Sequence, residues 1–141
     1  MDISKKISFK TYFNTFSEIE ETDNKIIYNL RKVSDESNLL YQKDYSLEAQ
    51  KEYFRKNYLN NRKKRREIYF KINPISNLIK TNGFVRITNL QNFSNFSWDS
   101  LIVANQSPPW FAIDITLSIY SLGFDYFKKK NVVYGLYQKK V

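Results

Sequence analysis

The residues whose order can do chemistry gather in the last third of this chain. Phe96-Ser97-Trp98-Asp99-Ser100-Leu101-Ile102-Val103 alternates as a β-strand, and Ala104 to Trp110 is a loop marked by Pro108 and Pro109. A long helix follows from about Phe111 to Lys129, and Val132-Val133-Tyr134-Gly135-Leu136-Tyr137 reads as a second strand. A strand that runs straight into a helix N-terminus offers backbone N–H groups and the positive end of the helix dipole to an anion, a pyrophosphate included.

Composition limits what else can happen there. The chain of 141 residues contains no cysteine and no histidine. That removes a disulfide framework, a thiol nucleophile, the usual general base and the commonest zinc ligand, so no metal site is expected. Acid–base work must fall to carboxylates, tyrosines, lysines, water or the substrate. No apolar run is long enough to span a bilayer, and the N-terminus lacks the apolar core of a signal peptide, so a cytoplasmic protein with no membrane partner is expected. With 23 Lys and Arg against 14 Asp and Glu, the net charge is +9. That balance suits an anionic partner: nucleic acid, a membrane surface or a phosphate-bearing cofactor.

The elements that must position these residues fill one domain, residues 1–141. Ile7 to Phe13 alternates loosely as a first strand, and Glu18 to Val33 keeps helical spacing with acids in its first turn. Ser46 is an N-cap for a second helix reaching about Arg66, with Leu47, Gln50, Tyr53, Phe54 and Tyr58 inward. Ile68–Ile72 and Phe84–Leu90 read as two strands joined through a turn at Asn82-Gly83. Along the last helix Ile113, Leu117, Tyr120, Phe124 and Phe127 mark the face expected against the sheet, with Ala112, Thr116, Ile119 and Gly123 beside them. The fold class is α/β (α+β), a mixed, mostly antiparallel central sheet flanked by helices.

Four runs resemble the GCN5-related N-acetyltransferase (GNAT) superfamily, closest to its bacterial members acting on amino sugars and other small amines. They are Asn29-Leu30-Arg31 at a helix end, Ser46 to Phe54 at a helix start, Gly83 to Leu90 as a glycine-led strand, and Phe96 to Phe127. The likeness rests on order and spacing along nearly the whole chain. It implies acetyl-CoA as cosubstrate and a primary amine, an amino sugar or sugar nucleotide among the options, as acceptor by direct attack. It also implies that backbone groups of Leu101, Ile102 and Val103 pair with the pantetheine arm as an added strand.

Two departures stand out. The family loop usually has the form Gln/Arg-x-x-Gly-x-Gly/Ala, whereas here Gln106-Ser107-Pro108-Pro109-Trp110-Phe111-Ala112 has no glycine and two residues without an N–H. Phosphate-binding amides must then come from Trp110, Phe111, Ala112 and Ile113, with the Ser107 hydroxyl. A complete family member also continues past the Val132 strand, so the resemblance implies a C-terminally truncated domain with an exposed sheet edge open to homo-oligomer formation. Asp99, expected on the same strand face as Leu101 and Val103, corresponds to the family carboxylate that takes the amine proton, and Tyr134 is a candidate acid for the leaving thiolate.

Two other readings remain. One is a degenerate CoA-binding domain without turnover. The other is a basic nucleic-acid-binding module built on Arg62-Lys63-Lys64-Arg65-Arg66, which the helical core spacing of its aromatic neighbours disfavours.

Overall fold

The computed structural model describes residues 5–37, 45–76, 78 and 81–133. Six strands follow one another in a single sheet in chain order: β1 (Ser8–Lys10), β2 (Asn14–Glu18), β3 (Ile68–Pro74), β4 (Gly83–Thr88), β5 (Asn95–Val103) and β6 (Asn131–Val132). All neighbours are antiparallel except β5 and β6, which are parallel and, among the described residues, pair through Asn95 with Asn131 and Phe96 with Val132. The sheet is therefore mixed and mostly antiparallel, as the alternating runs implied. The expected strand beyond Val133, with Tyr134 and Tyr137, lies outside the described residues.

Helix α1 (Asn24–Ser37) and a second helical rod cover one face. The rod begins as α2 (Leu47–Glu52), passes through a π-helical segment (Tyr53–Tyr58) and ends as α3 (Leu59–Lys63). Ser46 caps it as expected, its hydroxyl accepting from the Ala49 N–H at 3.0 Å. Here Ile19, Ile27, Phe54, Tyr58, Tyr69 and Phe84 form one core layer. Helix α4 (Pro109–Ser121), extended by a π segment (Leu122–Tyr126), covers the other face against Phe16, Phe70, Val85, Ile87 and Phe96.

Three expectations change. The single N-terminal strand is a hairpin, because Asn14–Glu18 hides a strand behind two buried polar ends. Asn14 donates to Asp114, and Glu18 takes the Ile7 N–H at 2.5 Å and the Arg62 guanidinium at 2.5 Å. The first helix consequently starts at Asn24, after a 3-10 turn (Glu21–Asp23). Asn82-Gly83 is no hairpin turn either: Gly83 already pairs with Ile72 inside β4. A β-carbon there would stand 2.9 Å from the Phe111 ring, so the glycine admits α4 close to the sheet.

The third change concerns α4. Its sheet-facing stripe is Phe111, Ile115, Ile119 and Leu122, while Ile113 and Leu117 are 61% and 64% exposed. Both stripes are apolar at helical spacing, so periodicity alone cannot say which one turns inward. Gly123 fixes the choice, since a methyl on it would overlap the buried ring of Phe96. Gly123→Ala gains about 1 kcal/mol of helix propensity and loses about 1–3 kcal/mol to overpacking. Urea denaturation is expected to show net destabilisation, and a stabilised variant would mean the ring has room to move.

Candidate functional site

The pairing of β4 with β5 is interrupted once. Arg86 faces Asp99 and Phe84 faces Ile102, so two residues of β5, Ser100 and Leu101, stand against Val85 alone. Ser100 takes a left-handed conformation, with φ of 54°. This one-residue bulge reverses the alternation of side chains along the strand. Trp98, Leu101 and Val103 pack on the α4 side, whereas Ile102 joins the layer under α1 and α2. Asp99 does not share the face of Leu101 and Val103. Its side chain lies beside Arg86 on the opposite face, and the bulge is the reason.

The same bulge sorts the peptide groups. The Ala104 N–H bonds to the Asn82 carbonyl at 3.2 Å, which makes Ile102 a hydrogen-bonded partner of Phe84 two residues back along the ladder. The peptide groups of Leu101 and Val103 then lie on the other edge of β5, and those of Ile102 point into β4. On that other edge β6 last engages through Val133, whose N–H meets the Phe96 carbonyl at 2.9 Å. Among the described residues nothing pairs with β5 beyond this point, and the peptide groups of Leu101 and Val103 face that side of the strand.

On the α1 and α2 side a polar network lies against the bulge. Arg86 holds both oxygens of Asp99, Nε to Oδ1 at 2.8 Å and Nη2 to Oδ2 at 3.0 Å. Its Nη1 donates to the Tyr53 hydroxyl at 2.5 Å, and that hydroxyl donates to Glu67 at 2.8 Å. Burial works against the Arg86 charge, but Asp99, Tyr53 and Glu67 together outweigh it and raise its pKa. Burial pushes the hydroxyls of Tyr53, Tyr58 and Tyr69 up, so they stay protonated. Nearby, Arg31 donates to the Tyr69 hydroxyl at 3.2 Å and stacks 5.7 Å from the Tyr45 ring centre. Its Nε–H is buried with no partner among the described residues.

The loop that follows β5 is less generous to an anion than its position suggests. Pro108 is the N-cap of α4 and Pro109 its first residue. The Phe111 N–H bonds back to the Pro108 carbonyl at 3.0 Å, and the Ser107 N–H to the Ala104 carbonyl at 2.9 Å. The Ser107 hydroxyl is hydrogen-bonded to that of Thr81. The amides of Ala112 and Ile113 lie past the first turn, where helix geometry directs them to the carbonyls of Pro108 and Pro109. Of the expected amide donors, Trp110 is the one left facing outward from the helix start.

Sequence reasoning missed Tyr53, Glu67 and Arg86 as a group. The signal was present: Arg86 is a charge inside the apolar run Phe84-Val85-Arg86-Ile87. Tyr134 lies outside the described residues. A cleft of about 500 Å³ lies elsewhere, between Glu18, Phe54, Tyr58 and Arg62. Arg62 is ion-paired there with Glu18 (side chains 14% and 4% exposed), so the basic run does not present all its cations to one external polyanion. Among the described residues no acidic cluster could hold a metal ion, and no helix is long and apolar enough to cross a membrane.

No protein-family model and no curated protein sequence matches the chain. Solved structures do. Apo FdhC, described as a nucleotide-linked sugar GNAT, superposes with a TM-score of 0.68 at 27% identity over 86% of this chain and 68% of its own. Dodecameric spermidine N-acetyltransferase from Vibrio cholerae gives 0.60 at 19% identity, over 82% of this chain and 65% of its own. The same enzyme in complex with CoA and spermine gives 0.56 at 18% identity, over 80% and 65%. This chain thus spans about two-thirds of each. The likeness to the spermidine enzyme is one of fold; the sugar enzyme matches more closely in both superposition and sequence identity. With that sheet order and those elements, the chain belongs to the GCN5-related N-acetyltransferase superfamily.

Proposed function

We propose that this chain binds acetyl-CoA along the edge of β5 that faces away from β4 and transfers its acetyl group to a primary amine held on the α1 and α2 side. The observation that carries the reading is the bulge at Ser100, which turns the peptide groups of Leu101 and Val103 away from β4. An extended pantetheine arm added there as a strand puts its thioester beside the bulge. In the reaction the amine nitrogen attacks the thioester carbon, the C–S bond breaks, the amine loses a proton and the thiolate gains one. The Leu101 N–H is the donor nearest the developing oxyanion, and holding both reactants in place supplies much of the acceleration. Asp99 and Tyr134 remain the proposed proton carriers. Because both Asp99 oxygens already face Arg86, its part is to hold a water that takes the amine proton.

The acceptor we infer is an amino sugar carried on a nucleotide. A polyamine would have to approach a chain of charge +9 and meet Arg31 and Arg86 at the site, whereas a phosphate-bearing acceptor is drawn by the same charges. A cytoplasmic location and self-association through a sheet edge fit this reading, though a partner on β5 would compete with the donor for the same peptide groups. The engaged state of Asp99 supports one second reading, a CoA-binding domain without turnover.

Calorimetric titration with acetyl-CoA, followed by thiol release with an amino-sugar nucleotide or spermidine, separates these. Saturable binding with thiol release on the sugar nucleotide is expected. Binding without release for any amine favours the second reading, and no binding at all defeats both.

A further inference from the structure

The positive charge of this chain is absent from the segment that builds the donor site. Residues 87–127 contain no Lys and no Arg, and their charged side chains are Asp99, Asp114 and Asp125. Asp114 lies in the second turn of α4, its carboxylate accepting from Thr11 at 3.0 Å and from Asn14. The backbone does little to compensate. Two of the first helical donors are missing at Pro108 and Pro109, those of Ser107 and Phe111 are spent locally, and the Ser107 hydroxyl is hydrogen-bonded to that of Thr81. Trp110 is the amide left between Ser107's turn and the helix body. A doubly charged pyrophosphate needs several convergent N–H groups or a cation to offset its desolvation. The β5 edge is intact by contrast, and a pantetheine arm is neutral.

From this contrast, and resting on the acetyl-donor reading above, we infer that the site recognises its donor by the pantetheine arm and draws little affinity from the pyrophosphate. A nucleotide-free acetyl thioester of pantetheine is then nearly as good a ligand as acetyl-CoA. Pro108 and Pro109 are the specificity-determining residues, because they delete the amides that would read the phosphates.

The test is calorimetric titration of the 141-residue chain with acetyl-CoA and with S-acetylpantetheine, in about 0.15 M salt to screen the long-range pull of the net charge. Dissociation constants within about tenfold are expected. An acetyl-CoA preference above about a hundredfold overturns the inference while leaving the acetyl-donor reading in place. Binding of neither ligand overturns both. The variant Pro108→Gly/Pro109→Ala restores two N–H groups and is expected to tighten acetyl-CoA several-fold with S-acetylpantetheine unchanged. Equal changes for both ligands would count against the amide account. Pro109→Ala alone keeps the cap residue and serves if the double variant melts early by circular dichroism.

Discussion

Ser100→Pro is expected to abolish acetyl-CoA binding and to lower the melting temperature by about 10 °C, while Ser100→Gly leaves both nearly as they are. Proline locks φ near −65°, whereas the bulge holds Ser100 at 54°. That mismatch costs about 3 kcal/mol, a large share of the stability of an ordinary domain. Glycine accepts the left-handed conformation without strain, and its extra freedom in the unfolded chain offsets the gain, so its net effect stays within about 1 kcal/mol. The proline variant also removes the device that turns the peptide groups of Leu101 and Val103 away from β4. Melting curves and calorimetry on both variants check this. A proline variant that binds acetyl-CoA as tightly as the parent would disconnect the bulge from the donor site.

The second large effect is at Arg86. Replacing it with methionine keeps the stem and removes the charge from Glu67, Tyr53 and Asp99 together. Glu67 is the costly one to strand, its side chain being 9% exposed, whereas Asp99 is 48% exposed and water screens its loss. Arg86→Met is expected to cost about 2–4 kcal/mol and Asp99→Asn less than about 1 kcal/mol. Pairing Arg86→Met with Glu67→Gln recovers part of the loss, because the buried carboxylate no longer lacks a counter-charge. Urea titrations of the three chains measure this, and equal costs for Arg86→Met and Asp99→Asn would contradict it.

Much of the fold was legible because its elements announce themselves by period. Phe96–Val103 alternates, Ser46 is a good cap, and Ile68–Ile72 and Phe84–Ile87 are dense in β-formers. What stayed hidden was set by tertiary partners. Asn14 and Glu18 are polar residues that the hairpin buries because Asp114 and Arg62 are waiting for them. On α4 two apolar stripes competed, and contact with Gly83 and Phe96 decided between them. The strand Phe96–Val103 could be read from the sequence, yet the face of Asp99 could not. A bulge formed at serine carries no glycine to mark it, and a strict two-residue period placed the carboxylate with Leu101 and Val103.

Both helical rods contain a π-helical turn, Tyr53–Tyr58 in one and Leu122–Tyr126 in the other, where the N–H of Leu59 reaches Phe54 and that of Phe127 reaches Leu122. Each such turn holds one residue more than an α-helix needs, and rotates the remainder of its rod by roughly a quarter turn. In the first rod this lets Tyr53 lean toward Glu67 and Arg86 while Phe54 and Tyr58 keep their places in the core. A chain trimmed by one residue in that segment would regain an unbroken helical period at the cost of one of these two alignments. Small deletions, which surface loops absorb, are therefore expected to be poorly tolerated in the middle of this helix.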